Sequence, residues 1–205
     1  MLSIQQIYNL AYSEILKKKD DKPVYIWVTG PFASGKTFFI EHLSKELVKL
    51  GKLSIARDDI HLIREVNFDL DNKHHINING NFIVTDNVIH DRILANICKE
   101  AENFNGDFFL IELARTGKDS QGKRDMSYSR ISKFITKQVL DNSVFIRIEC
   151  PYSERLRRNE FRDYARLDGK YRKAHLELMQ RFLHEDDFYE WTKSTGQPII
   201  VLDNS

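Results

Sequence analysis

Two cysteines, four prolines and nine glycines are few for 205 residues, and each scarcity excludes something. Cys98 and Cys150 are too few for a disulfide framework and too isolated for a cysteine-only metal site. With so little proline and glycine there is no low-complexity linker, and no internal repeat is visible. Charge of one sign is also missing. The 31 Lys+Arg and 30 Asp+Glu leave a net charge of +1, which excludes a histone-like partner working by bulk positive charge and leaves room only for a local basic groove. No apolar run is long enough to cross a bilayer. The first 22 residues mix polar and apolar side chains and lack a signal peptide's apolar stretch, so a cytoplasmic protein without membrane partners is expected. What is present is a 41% hydrophobic, 30% charged chain, enough apolar residues for a packed core and a length that suits a single domain over 1–205.

The apolar residues are organised as short runs separated by helical periodicity. Ile4, Ile7, Ala11 and Ile15 recur at helical spacing, with Ser3 and Gln6 placed as a capping box. Strands are expected at 24–29, 53–56, 107–112, 143–148 and 198–202. Helices are expected at about 35–50, 86–102, 126–140 and 153–191, and Gly51 sits where the first of these should stop. The polar stretch from Asp69 to Asn81 reads as an irregular loop, and Phe38 and Phe39 read as core. Apolar strands alternating with helices indicate an α/β fold with a parallel sheet covered on both faces.

Gly30-Pro31-Phe32-Ala33-Ser34-Gly35-Lys36-Thr37 matches G-x-x-x-x-G-K-[ST] and stands between an expected strand and an expected helix. The glycines let the backbone curl so that its N–H groups point at phosphate oxygens, and the helix presents its positive end to the same anion. Ala33, Ser34 and the two glycines are thus candidate nucleotide contacts. Lys36 is expected to reach the β- and γ-phosphates, and the Thr37 hydroxyl to bind Mg²⁺. Chance gives this pattern in roughly one chain per hundred of this length, before the strand and helix are counted.

Ligands of parallel sheets gather at the carboxyl ends of strands. The second expected strand runs into Arg57-Asp58-Asp59 and the third into Glu112-Leu113-Ala114-Arg115. A hydroxyl-phosphorylating enzyme needs a carboxylate to receive the hydroxyl proton and oxygen ligands for Mg²⁺. One of Asp58 and Asp59 is expected to cap the following helix and the other to face the site. Glu112, inside an otherwise apolar strand, is expected at the site, with Arg57, Asp59, Glu112 and Arg115 on the acceptor side.

Arg155, Arg157, Arg158 and Arg162 fall within eight residues after the fourth strand. A helix places Arg155, Arg158 and Arg162 on one face and turns Arg157 away. Such runs are often solvated surface. Guanidinium groups also fit phosphate oxygens bidentately, and an arginine-bearing lid would exclude water. Arg155 is a candidate nucleotide contact. His74-His75 lacks a further ligand set with metal-site spacing, and Tyr128, Tyr164 and Tyr171 read as packing residues more readily than as base-stacking platforms.

Three segments together resemble P-loop kinases of the nucleotide-kinase type, most closely the kinase domain of phage-type polynucleotide kinases. They are the loop Gly30–Thr37, Arg57-Asp58-Asp59, and Pro151-Tyr152-Ser153-Glu154 with Arg157, Arg158, Asn159 and Arg162. The resemblance implies a three-layer P-loop NTPase fold with a five-stranded parallel sheet and an arginine-bearing lid at about 155–185. It implies ATP and Mg²⁺, Asp58 as general base, and Arg158 and Arg162 as paired lid arginines. The chain departs from the family where Ile60 and His61 replace a frequent arginine, and where Glu112-Leu113-Ala114-Arg115 replaces an Asp-containing turn. The expected function is an ATP-dependent kinase acting on a hydroxyl of a nucleic acid or nucleotide, hydroxymethylated DNA bases included. A metabolite kinase and a nucleotide-hydrolysing switch are the alternatives. A GTPase would need Asn-Lys-x-Asp, and Asn72-Lys73 is followed by two histidines.

Overall fold

Val24–Thr29 is buried along its whole length, as a strand covered on both faces must be. In the computed structural model, which describes residues 13, 23–58, 62–63, 66, 73–78, 81–84, 87–118, 125–162, 176–181 and 186–205, this strand lies at the centre of the sheet. In chain order the elements are β1 (Val24–Thr29), α1 (Lys36–Lys49), β2 (Ser54–Asp58), β3 (His75–Ile78), β4 (Asn81–Val84), α2 (Asn87–Glu102), β5 (Phe108–Leu113), β6 (Gly117–Lys118) and β7 (Asp125–Met126). A 3₁₀ helix (Tyr128–Lys133), α3 (Lys137–Asp141), β8 (Ser143–Glu149), α4 (Tyr152–Glu160), α5 (Leu176–Arg181), α6 (Phe188–Thr195) and β9 (Ile199–Asp203) follow. Five strands form one sheet in the order β2-β5-β1-β8-β9, and every pairing in it is parallel. This is the α/β fold expected from the alternation of strands and helices.

Strand parity divides the core into two layers. Tyr25, Trp27, Phe109, Ile111 and Phe145 project to one face, where Ile93, Leu94 and Ile97 of α2 and Phe188 and Trp191 of α6 cover them. Val24, Ile26, Val28, Phe108, Leu110 and Ile146 project to the other, under Phe39, Ile40, Leu43 and Leu47 of α1. Trp27 is fully buried, and its indole N–H donates to Ser143 Oγ at 3.0 Å, which satisfies the one polar atom that its burial would otherwise orphan.

Several boundaries differ from the sequence reading. His75–Ile78, inside the stretch read as irregular, pairs antiparallel with Asn81–Val84, which begins at that stretch's last residue. The intervening sequence, Asn79-Gly80, is a strong hairpin signal that the polar composition masked. The helix expected over 126–140 is instead the 3₁₀ helix and α3, because Thr136 starts a new helix by accepting a hydrogen bond from the Val139 N–H. Between 153 and 191, α4, α5 and α6 are separate helices. Phe39 is core, but Phe38 is exposed and packs on His42. Apart from Ser13, the N-terminal helix expected around Ile4–Ile15 lies outside the described residues, as do residues 163–175 and 182–185 of the expected lid, Asp59, Tyr164 and Tyr171. Among the described residues no helix is long and apolar enough to cross a membrane.

Candidate active site

The loop from Gly30 to Gly35 is shaped by its own backbone. Gly30, Ala33 and Gly35 have φ of 144°, 64° and 106°. A side chain at Gly30 would place its Cβ 2.5 Å from the Ile148 carbonyl oxygen, so the position is closed to other residues by contact as well as by conformation. α1 begins on Gly35 without a side-chain cap, which leaves its first N–H groups for an anion. Lys36 is 5% exposed, and its Nζ reaches back to the Pro31 carbonyl at 3.0 Å, across the loop.

The loop is braced from below. Thr29 Oγ1 donates to the Ile146 carbonyl at 3.0 Å, and the Gly30 backbone hydrogen-bonds the buried Tyr128 hydroxyl. Burial pushes that phenol well above its usual range. Arg147, paired in register with Thr29, meets Asp186 at 2.9 Å, Glu149 at 3.0 Å and the Tyr128 hydroxyl at 3.3 Å. A buried cation with two acidic partners is satisfied within the fold.

Glu112 completes the mouth of the loop. Thr37 Oγ1 donates to Glu112 Oε1 at 2.9 Å, although the two are 75 residues apart in sequence. Register explains how they meet. Asp58, Glu112 and Val28 are aligned across β2, β5 and β1, so all three project to the α1 face. Asp58 is the last residue of β2. Arg57, one residue earlier, projects to the opposite face, where it pairs with Glu100 of α2 at 2.5 Å. Arg115 is buried and donates to the Met126 and Ser127 carbonyls at 3.0 and 2.9 Å, tying β5 to the chain that follows β7.

The arginines after β8 divide. Arg155 is buried against its own helix start, donating to the Cys150 carbonyl at 3.2 Å and standing 5.1 Å from the Tyr152 ring. Burial pulls its pKa down. Arg157 points away, paired with Glu154 at 2.7 Å and mostly exposed, as its spacing indicated. Arg158 and Arg162 reach the loop. Arg158 Nη1 donates to the Ser34 carbonyl at 3.3 Å, and the Arg162 guanidinium lies 5.0 Å from the Phe32 ring. Glu154 tethers Arg158 at 2.7 Å, and its bonds to Arg157 and Arg158 hold its carboxyl down at about 2. Met179 of α5 is fully buried against Ala33, beside Phe32, Tyr152 and Leu156, so a second helix also rests on the loop.

Glu154, Phe32 and Asn204 take part in this arrangement and had been given no role in the sequence. Glu154 had a signal, its i,i+4 spacing from Arg158. Asn204, which donates to the Ser34 carbonyl at 2.8 Å across 170 residues, had none.

The residues fit a nucleoside triphosphate and Mg²⁺. Ser34 Oγ is fully buried with no hydrogen-bond partner among the described residues. The Thr37 hydroxyl and Glu112 carboxylate are hard oxygen donors of the kind Mg²⁺ takes alongside water and phosphate oxygens. No cluster of three or more His, Cys, Asp or Glu side chains that could hold a metal occurs among the described residues.

No family model matches the chain, and no curated protein matches it in sequence. Among solved structures it is similar to TT1252 from Thermus thermophilus, at 15% identity over 89% of each chain with a TM-score of 0.45. It is similar to a possible uridine kinase from Bacillus stearothermophilus, at 12% identity over 98% of this chain and 100% of that one with a TM-score of 0.42. It is also similar to a candidate fructose transport system kinase from Silicibacter, at 12% identity over 96% of this chain and 98% of that one with a TM-score of 0.45. At these values the likeness bears on neither ligand nor reaction.

Proposed function

We propose that the chain is an ATP-dependent kinase that transfers the γ-phosphoryl group to a hydroxyl of a nucleic acid or nucleotide. The observation that carries this reading is the Thr37–Glu112 hydrogen bond at the mouth of the phosphate loop, with Asp58 beside Glu112 on the same sheet face. It joins a phosphate-binding loop to a pair of carboxylates at one strand edge, which phosphoryl transfer needs and simple binding does not.

The loop amides and Lys36 hold the phosphates. Thr37 and Glu112 would hold Mg²⁺, which when bound neutralises charge between the β- and γ-phosphoryl oxygens. Asp58 receives the acceptor hydroxyl's proton as the acceptor oxygen bonds to the γ-phosphorus. The bond from that phosphorus to the β–γ bridging oxygen breaks, and ADP leaves. Arg158 and Arg162 stabilise the charge that develops on the transferring group. The contribution of the protein is positioning and electrostatics, with no covalent intermediate. The resemblance of Arg57-Asp58-Asp59 and of the segment from Pro151 to Arg162 to phage-type polynucleotide kinases supports a nucleic-acid or nucleotide acceptor.

A labelled-phosphate transfer screen over DNA, RNA, DNA with hydroxymethylated bases, nucleosides and small metabolites tests this. Label appearing on a nucleic acid or nucleotide, with ADP release that depends on that acceptor, is the expected result. ADP release indifferent to every acceptor would make the chain a nucleotide-hydrolysing switch, and transfer confined to small metabolites would overturn the acceptor class. Salt dependence separates a polynucleotide acceptor from a small-molecule one, because polynucleotide binding weakens steeply with salt.

A further inference from the structure

The Ser34 carbonyl of the phosphate loop accepts two hydrogen bonds, both from side chains outside the loop. The side-chain amide of Asn204 donates to it at 2.8 Å, and Arg158 Nη1 donates to it at 3.3 Å. Asn204 is itself fixed. It lies just past β9, and its backbone N–H donates to the Glu149 carbonyl at 2.9 Å, which carries the β8–β9 pairing one residue further. Its backbone carbonyl accepts from Arg158 Nη2 at 2.8 Å, and its Oδ1 lies 3.4 Å from the same nitrogen. The fit to the loop is close. A Cβ on Gly35 would fall 2.5 Å from Asn204 Nδ2.

The next peptide plane explains why this matters. No peptide bond described is cis, so the Ser34 C=O and the Gly35 N–H point in opposite directions. With the carbonyl held outward by Asn204, the Gly35 N–H is turned to the other side of the loop. The joint concerned is intrinsically loose, because Gly35 sits at φ 106° and glycine adopts either sign of φ at little cost. Without an outside partner the Ser34–Gly35 peptide can turn over and offer a carbonyl oxygen where a phosphate needs a donor.

We infer that Asn204 is a positioning residue for the nucleotide, holding the Ser34–Gly35 peptide so that the Gly35 N–H serves the β-phosphate. The inference rests on the nucleotide-binding part of the proposed function. It adds to that function a contribution from the far end of the sheet that the loop motif does not contain. Asn204 acts through the loop backbone and needs no contact with the ligand itself.

The test uses the full chain with Asn204→Ala and Asn204→Asp. The second keeps size and shape, but sets an oxygen in place of the donor, against the Ser34 carbonyl. Mg-ATP, ADP and AMP binding are measured by calorimetry, with urea denaturation alongside. Both variants are expected to bind Mg-ATP and ADP roughly tenfold more weakly, the loss of one charge-assisted hydrogen bond, with AMP binding and the urea midpoint unchanged. Dependence on the β-phosphate is the signature that a purely structural role lacks. Variants that bind Mg-ATP as tightly as the parent overturn the inference and leave the kinase reading standing. Equal weakening for all three nucleotides with a lowered urea midpoint overturns it too, by marking Asn204 as a fold residue. A parent chain that binds no nucleoside triphosphate overturns the kinase reading, and the inference falls with it.

Discussion

Arg158 and Arg162 lie against the phosphate loop, one on the Ser34 carbonyl and one on the Phe32 ring, whereas Arg57 and Arg115 are tied to Glu100 and to the Met126 and Ser127 carbonyls. All four follow or end a strand of the parallel sheet in the sequence, and all four were candidates for the site. What separates them is geometry finer than position along the chain. Arg57 is one residue from Asp58, and in a strand one residue means the opposite face. Arg115 lies past the end of β5, where it is buried and serves as a strut. Arg158 stands on a short helix that starts directly after β8, Arg162 lies just past its end, and helical spacing brings Arg158 to the loop. In the proposed function the nucleotide end of the site is therefore furnished with cations, and at the proposed acceptor end the described Arg57 and Arg115 bond elsewhere in the fold.

The largest effect expected is at Lys36. Lys36→Ala should reduce labelled-phosphate transfer by about a thousandfold or more, because the loop then lacks its one side-chain cation on the triphosphate. Arg57→Ala, at the other end, should leave transfer within about threefold, since a half-exposed ion pair with Glu100 contributes about 1 kcal/mol or less to stability. A large loss of transfer in Arg57→Ala would break the contrast between the two ends.

Asp58→Asn comes next. Turnover should fall by about 10²- to 10⁴-fold while the Kd for ATP stays near that of the parent. Single-turnover kinetics beside equilibrium binding would check this. Equal losses in rate and affinity would mean that Asp58 holds the nucleotide rather than serving the acceptor.

A third pair of substitutions sets the arginines directly against each other. Arg158→Ala should lower the transfer rate by about 10²-fold, with the urea midpoint close to the parent's. Arg115→Ala should do the reverse in kind. It strips a buried donor from two carbonyls and should cost about 2–4 kcal/mol of stability, read from urea denaturation. If Arg115→Ala folds as stably as the parent but transfers slowly, Arg115 belongs to the acceptor site after all.

The residues that gather at the phosphate loop could be picked out in the sequence because their signals are local. The loop motif occupies eight consecutive positions, Arg158 and Arg162 are four residues apart, and Glu112, expected on the acceptor side, stands out as an acid in an apolar strand. The acceptor end was less legible because it depends on parity and register. Which face of β2 a residue takes decides that Asp58 stands beside Glu112 and Arg57 does not, and boundaries are the least certain part of any periodic pattern. The β3–β4 hairpin was missed because its polar residues outweighed the Asn79-Gly80 signal, and the break before α3 was missed because one Thr136 hydroxyl sufficed to start a new helix. Asn204 could not be found at all from local pattern, since its partner is 170 residues away.

The smallest effect expected concerns acids held neutral on the α2 and α6 side of the sheet. Burial, reinforced by Glu102, pushes the Cys98 thiol from 9.0 up to about 12. Burial and the hydrogen bond to Glu149 push the Tyr189 phenol from 10.0 up to about 12. In the unfolded chain both groups release their protons near the lower values, so above pH 9 the unfolded state binds fewer protons than the folded one. Stability from this source is therefore complete below pH 9 and declines as pH rises towards 12. The urea midpoint should be level from about pH 7 to 8.5 and should fall beyond. Cys98→Ala should flatten the first part of that fall, and Tyr189→Phe the part above pH 10, the second more weakly because Tyr189 is 47% exposed. Tyr189 shares Glu149 with Arg147, and Arg147 meets the Tyr128 hydroxyl that bonds Gly30, so its removal should also be felt faintly in nucleotide binding. Cys98 packs in the apolar layer over β5, and Cys98→Ala should leave Mg-ATP affinity unchanged.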